Sequence, residues 1–415
     1  MTNFLSRFPE TEQLERLMKG TAMPAYREVN CHIHTPYSFS AFEHIGDIFE
    51  LAGSEQVKLL GINDFFVTDG YDEFNAHCMQ HKVFPLFNIE FIGLMKEEQQ
   101  LGTRINDPNN PGRIYFTGKA LDYPHHLGGE SRDKLENAKQ ESQEQIRVML
   151  VRLNEMLRSI DPSLCLGFEE VKQKFAQQLV RERHIAKALR HLAMERFPGE
   201  DERLIFLRKL YGGREPGKGW RTPALLENEL RSNLLKAGGA AFVEENEQSF
   251  PTLEALISII IEAGGVPCYP VLLDDNAGKF TEFEMDMEQL YQSLQKQGIG
   301  CLELIPLRND LGILRSFVDF FDRKGFIITF GTEHNTPEMI PLTPAARHSI
   351  PLDSRMKEIA WKGTCMLAAH QYFRAQGLPG IPFPAVETDR DMHLKFAKTG
   401  QLIIEYFLNK YSYEA

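Results

Sequence analysis

The sequence is poor in cysteine, and its cysteines lack a metal-binding spacing. Six occur among 415 residues, and no two of them form a Cys-x-x-Cys pair. Scattered cysteines of this kind are typical of reduced, mostly buried thiols, and they give no zinc-finger pattern. We therefore expect a cytoplasmic protein.

Long hydrophobic runs and an excess of positive charge are also missing. The most apolar segment, LEALISIIIEAGG, carries two glutamates and is too short to cross a bilayer. The N-terminal stretch MTNFLSRFPETEQLERL lacks the apolar core of a signal peptide. The net charge of −12 argues against general nucleic-acid binding, although a locally basic cleft for a small anion remains open. We expect no membrane segment and a small-molecule ligand.

What the chain does have is enough apolar material for a large core, since 42% of its residues are hydrophobic. Residues 26–120 and 251–340 alternate short apolar runs with helical patterns, which predicts βα units. Residues 121–250 show long charged segments with 3.6-residue periodicity, and we expect a mostly helical insertion there. Residues 341–415 are expected to form a C-terminal helical extension. The seven apolar runs are VNCHI, VKLLGIND, VFPLFNIEFIGL, RIYFTGKAL, VPCYPVLL, GIGCLELI and FIITFGTE.

Two histidines follow each other closely in NCHIHTPYS. In an extended strand residues i and i+2 point to the same face, so His32 and His34 would reach one point. If the βα blocks form one parallel barrel, other strand ends bring polar residues to the same mouth. Several strand ends carrying metal-type ligands predict a metal site better than one His-x-His pair does. The candidates are His32, His34, Asp64, Glu90, Tyr115, Tyr269, Glu333, His334 and Asn335.

These residues resemble the motifs of the PHP (polymerase and histidinol phosphatase) family, whose members are metal-dependent phosphoesterases. CHIHTPYS is similar to the first motif of that family, GINDFFVTDGYDEF to the second and NIEF to the third. RERHIAKAL resembles a segment of the subgroup that dephosphorylates small nucleotides and short oligonucleotides. The resemblance covers roughly residues 26 to 340 and implies an α/β fold, a distorted seven-stranded TIM-like barrel.

Three histidines that the resemblance leads us to expect are absent. Phe65 follows Asp64 where the family has a histidine, and Tyr115 and Tyr269 occupy two further histidine positions. The last motif, normally Asp-x-His, reads Glu333-His334-Asn335.

The resemblance implies one complete metal position, made by His32, His34, Glu90 and Glu333. A second position retains Asp64 and would need His334 to reach in, while the third loses both of its histidines. Two imidazoles and two carboxylates suit Zn²⁺, Mn²⁺ or Fe²⁺. We therefore expect one divalent transition-metal ion, or two if His334 coordinates.

These residues favour a metal-dependent hydrolase that acts on a small phosphorylated substrate through a metal-activated water. Asp64 is then a candidate general base, and the subgroup resemblance puts Arg183 and His184 over the site. Tyr115, Tyr269 and Asn335 are expected to line the substrate cleft. Two alternatives stay open: a barrel that acts on a carbohydrate or another non-phosphate substrate, and a non-catalytic binding or regulatory module. The sequence leaves the oligomeric state undecided.

Overall fold

The computed structural model describes residues 3–217, 219–247, 250–275, 277–385 and 390–412. Parts of the predicted insertion (218 and 248–249) and of the predicted extension (386–389 and 413–415) lie outside these residues. The strands are β1 (Val29–Ile33), β2 (Leu59–Phe65), β3 (Phe84–Leu94), β4 (Arg113–Lys119), β5 (Val266–Val271), β6 (Cys301–Leu304), β7 (Ile327–Phe330), β8 (Ala345–Ala346) and β9 (Ile350–Pro351). The α-helices are α1 (Thr11–Leu17), α2 (Ile45–Ser54), α3 (Tyr71–His81), α4 (Lys96–Leu101), α5 (Gly129–Ile160), α6 (Phe168–Phe175), α7 (Glu182–Arg196), α8 (Glu200–Leu210), α9 (Pro223–Leu230), α10 (Leu253–Glu262), α11 (Met287–Lys296), α12 (Leu311–Arg323), α13 (Ser354–Ala375) and α14 (Arg390–Asn409).

Strands β1 to β7 form a single sheet in sequence order. Neighbouring strands are parallel from β1 to β3 and again from β5 to β7. The sheet curls until its two edges meet at one bridge, between Ile33, the last residue of β1, and Glu333 after β7. The expected distorted seven-stranded TIM-like barrel is confirmed.

Strand β4 departs from the expected parallel arrangement, because it runs antiparallel to both of its neighbours. The link from β3 contains the six-residue helix α4, about 9 Å long, and no helix that runs back along the strand of roughly 36 Å. The chain instead turns and pairs directly with β3. As a result Tyr115, near the start of β4, lies at the barrel mouth, while Lys119 ends the strand deeper in the interior.

Helices α5 to α9, between β4 and β5, have a hydrophobic core of their own. Their buried side chains include Leu153 of α5, Leu189 of α7, Leu207 of α8 and Leu230 of α9. The barrel is packed by separate clusters that include residues of the strands and of α2, α10, α12 and α13. The insertion thus contributes a second packed unit beside the barrel mouth.

The two C-terminal helices pack closely on the barrel and on each other. A Cβ at Gly363 of α13 would lie 2.1 Å from the carbonyl oxygen of Ile328 in β7, and one at Gly400 of α14 would lie 1.7 Å from that of Cys365. Only glycine permits such approaches. No helix among the described residues is both long and apolar enough to span a membrane.

Candidate metal centre

The two histidines at the end of β1 converge at the mouth of the barrel. Their Nε2 atoms lie 3.2 Å apart, and both side chains are buried. The register between β1 and β2 shifts between Asn30 and Ile33, so the chain carrying the histidines departs from regular strand geometry. Burial lowers the pKa of His34, which favours the neutral imidazole that a metal ion requires.

Glu90 of β3 faces both imidazoles. Its Oε2 atom lies 3.2 Å from Nε2 of His34 and 3.7 Å from Nε2 of His32. This oxygen is buried and accepts no hydrogen bond from any described residue. Burial, reinforced by the nearby Glu333 and Glu303 and opposed by His32, raises the pKa of Glu90 to about 8.

Three potential ligand atoms, one each from His32, His34 and Glu90, all lie within 4.8 Å of one another. Two imidazoles and a carboxylate are a donor set that suits divalent transition metals. A buried carboxylate oxygen without a partner is costly unless something binds it, and a cation would do so. The residues present therefore fit a metal ion.

Glu333, the fourth predicted ligand, lines the same cavity but has other partners. Its Oε2 atom accepts hydrogen bonds from Arg308 and from Nδ2 of Asn335, the latter at 2.5 Å. Burial disfavours its charge, but Arg308 and the two histidines outweigh that effect and lower the pKa of Glu333. Its backbone, at φ 65°, donates to the carbonyl of His32 and accepts from the amide of His34.

Two charged residues that sequence reasoning missed lie below the histidines. Glu303 of β6 places its Oε2 atom 2.5 Å from Nδ1 of His32, and its Oε1 atom contacts Nζ of Lys119. Burial opposes charge on both residues, but their mutual attraction dominates, so the pKa of Lys119 is raised and that of Glu303 is lowered. The sequence did carry a signal for Glu303, because this glutamate is the single charged residue inside the apolar run GIGCLELI.

The cavity above these residues has a volume of about 320 Å³ and a basic rim. Arg181 and Arg183 come from the start of α7, and Arg231 begins the π-helical turn Arg231–Leu235. Arg308 ends the short 3-10 turn that follows β6. The helical insertion therefore supplies three of these four arginines, of which sequence reasoning found only Arg183.

Among the four rim arginines, Arg183 has the positive charge that nearby carboxylates neutralise least. It forms no ion pair with any described residue, and its hydrogen bond to Oδ1 of Asn228 is a long one, at 3.4 Å. Burial and the charge of Arg231 lower the pKa of Arg183 to about 10, so it stays positive at neutral pH. Arg231 is by contrast paired at 2.6 Å with Glu182. An anion beside Arg183 would relieve the crowding of positive charge.

Tyr115 and Asn335 line the cavity, but five other predicted residues do not: His34, whose contacts with His32 and Glu90 are given above, and Asp64, His334, His184 and Tyr269. Both oxygens of the Asp64 carboxylate accept hydrogen bonds from the turn after β1, at 2.5–2.7 Å. His334 contacts Oγ1 of Thr332 and the carbonyl of Ile340. His184 accepts the amide hydrogen of Arg181 through Nδ1, and Tyr269 donates to Glu284 on the outer side of the barrel. The metal and catalytic roles predicted for Asp64, the metal role of His334 and the substrate-binding roles of His184 and Tyr269 stay predictions.

Phe65, which stands where the resemblance leads us to expect a histidine, packs against the centre itself. Its ring is parallel to that of His34 within 7°, with 5.5 Å between centroids. Phe39 stacks on the same imidazole at 4.8 Å. The space that a further imidazole would occupy is therefore filled by a ring that holds His34 in place.

No protein-family model matches this chain, and no curated protein matches it in sequence. Solved structures are similar in fold. One is a "putative metal-dependent phosphoesterase" from Bifidobacterium adolescentis, with a TM-score of 0.51, 14% identity, and coverage of 81% of this chain and 96% of that one. Another is an amidohydrolase from Chromobacterium violaceum with bound sulfate and no metal, with a TM-score of 0.49, 16% identity, and coverage of 80% and 96%. At such identities the likeness extends to the fold alone.

Proposed function

We propose that this protein is a metal-dependent hydrolase of the PHP type that releases phosphate from a small phosphorylated substrate. The observation that carries the proposal is the arrangement of charge in one cavity. An acidic and imidazole floor, with the unpartnered Oε2 atom of Glu90, lies beneath a rim of four arginines. A floor that suits a cation and a rim that suits an anion match a metal-assisted phosphoester hydrolase.

His32, His34 and Glu90 would hold the ion, and Glu333 would join them if Arg308 released it. A divalent transition metal in this place supplies Lewis acidity, which activates water and polarises a phosphoryl oxygen. With a single ion, protein side chains have to stabilise the negative charge of the leaving group. The chain offers arginines for that task, because guanidinium groups bind phosphate oxygens in pairs.

Arg183 is the residue that we assign to the phosphoryl group. It lies at the cavity rim, carries its charge at neutral pH and has no carboxylate of its own. Tyr115 and Asn335 line the same cavity and contribute polar atoms for orientation. Because a cavity of about 320 Å³ is at the lower end of the usual range for ligand sites, a small molecule is favoured over a polymer.

The first test is metal content per chain by inductively coupled plasma mass spectrometry, after purification without chelators. We expect about one transition-metal ion, and its loss when His32 and His34 are both replaced by alanine. The metal-loaded protein is then offered a panel of phosphomonoesters and phosphodiesters, with inorganic phosphate as the readout. No metal, even after addition of Zn²⁺, Mn²⁺ or Fe²⁺, would refute the hydrolase and favour a binding module.

The second test separates the arginine rim from general charge. Arg183→Ala is compared with Arg190→Ala, which removes a cation two turns further along α7 that pairs with Glu227 and does not line the cavity. A hydrogen bond to a charged group contributes about 1.5–3 kcal/mol, so kcat/KM should fall roughly tenfold to a hundredfold in the first variant only. Equal losses in both variants would refute the role of Arg183, and metal binding without any phosphate release would point to a non-phosphate substrate.

A further inference from the structure

We propose that Glu303 and Lys119 position His32 for metal binding, by fixing which ring nitrogen faces the ion. This inference rests on the proposed metal centre and concerns residues that the centre itself does not include. Glu303 comes from β6 and Lys119 from β4, so two further strands would control the geometry of a ligand carried by β1.

The contact between His32 and Glu303 selects one tautomer of the imidazole. A carboxylate 2.5 Å from Nδ1 accepts a hydrogen bond, so Nδ1 carries the proton. The lone pair is then left on Nε2, the atom that faces His34 and Glu90. Histidines that bind metals usually donate their other ring proton to such a partner, which fixes the ring and strengthens the ligand.

Lys119 holds the Glu303 carboxylate from the opposite side. Besides its contact with Oε1 of Glu303, Nζ donates to the carbonyl of Cys31 at 3.1 Å and to Oδ1 of Asn63 at 3.2 Å. The side chains of Lys119 and Glu303 are both completely buried. The Asn63 amide in turn lies 3.0 Å from Nε2 and 3.2 Å from Nδ1 of His32, so the network surrounds that one ring.

A buried ion pair is a poor device for stability alone, because apolar residues of similar volume usually do as well. Apart from the contact between Lys119 and Glu303 themselves, their hydrogen bonds to described residues go to His32, to the preceding residue Cys31, and to Asn63, which contacts the His32 ring. That concentration on one ligand favours a positioning role.

The test compares the affinity of wild type and Glu303→Gln for Co²⁺, measured by competition with a chromophoric chelator together with the visible absorption of the bound ion. We expect the dissociation constant to rise about tenfold to a hundredfold, with the absorption bands of a His32, His34 and Glu90 site retained. Lys119→Met should also raise the dissociation constant for Co²⁺. A changed band pattern at full occupancy would mean that Glu303 coordinates the ion directly and would overturn the positioning role.

Glu405→Gln is the matched control. Glu405 is also a completely buried carboxylate paired with a cation, Arg27, at 2.7 Å, but it lies in α14 and does not line the cavity. Its loss should lower stability while leaving the Co²⁺ dissociation constant at the wild-type value. Equal dissociation constants in wild type and Glu303→Gln would overturn the inference.

A measurement on the unmutated chain covers the case in which a variant does not fold. Imidazole ¹⁵N–¹H correlation spectra of the zinc-loaded protein, assigned with His32→Ala, should show the His32 proton on Nδ1. A proton on Nε2 would overturn the inference even though metal binding, and with it the proposed function, would stand. If wild type binds no metal at all, the proposed function fails first.

Discussion

Gly331, directly after β7, offers a sharp steric test of the candidate metal centre. A Cβ at this position would lie 2.2 Å from Cβ of His32 and 3.0 Å from its backbone nitrogen and Cα. Neither neighbour is the end of a flexible side chain, and the Gly331 amide is itself bonded to the carbonyl of Leu304 at 3.0 Å. Relief of the overlap therefore requires a backbone shift of about 1 Å.

For Gly331→Ala we expect a loss of about 3 kcal/mol in the free energy of unfolding, the upper end for overpacking. Metal affinity should fall about tenfold or more, because metal–ligand distances tolerate only about 0.2 Å. Urea unfolding followed by circular dichroism gives the first quantity, and chelator competition gives the second.

Gly400→Ala is the control for this experiment. It creates an equally severe overlap, 1.7 Å from the carbonyl oxygen of Cys365, between α13 and α14. That variant should also lose stability but should keep wild-type metal affinity. If both glycine variants bind metal equally well, His32 is not held by the segment after β7 in the way described.

Three further predictions concern single polar side chains. His370, whose Nε2 lies 2.7 Å from the carbonyl of Gly264, has its pKa lowered from 6.5 to about 4 by burial. The unfolded chain thus binds more protons at this site in this window, so the contribution of His370 to stability should rise by about 3 kcal/mol between pH 4 and 6.5. In urea titrations the unfolding free energy of wild type should gain that amount relative to His370→Gln. Asp64→Ala should cost about 1–3 kcal/mol by leaving donors of the turn after β1 unpaired, and unchanged urea unfolding would contradict this. Arg308→Met should strengthen Co²⁺ binding by freeing Glu333, and weaker binding in chelator competition would exclude Glu333 as a ligand.

The seven strands of the barrel could be predicted because the signals for them are local, whereas the short strands β8 and β9 were not predicted. VNCHI matches β1, and NIEF falls within β3, where it brings Glu90 to the histidines. Strand formation depends on short apolar runs, and the alternation of side chains is a property of the strand itself. The same alternation predicted that His32 and His34 converge, and they do so although the register between β1 and β2 shifts beside them and His34 lies just beyond β1.

The floor of the site could not be predicted in this way. Lys119 meets Glu303 only because β4 runs antiparallel and the closed sheet brings β4 and β6 to one interior, and neither fact is encoded in a short segment. Asp64 illustrates a related limit. It lies within the last two residues of β2, close to the predicted strand end, but such a position does not specify whether the carboxylate faces the cavity or the neighbouring turn.

The separate hydrophobic core of the insertion has a consequence for how such a protein could change over time. The groups that would hold the metal come from the barrel, whereas Arg181, Arg183 and Arg231 come from helices that are packed around their own centre. Mutations among those helices could exchange one substrate preference for another without disturbing the strands beneath. Chemistry and selectivity would then be free to evolve at different rates in a single chain.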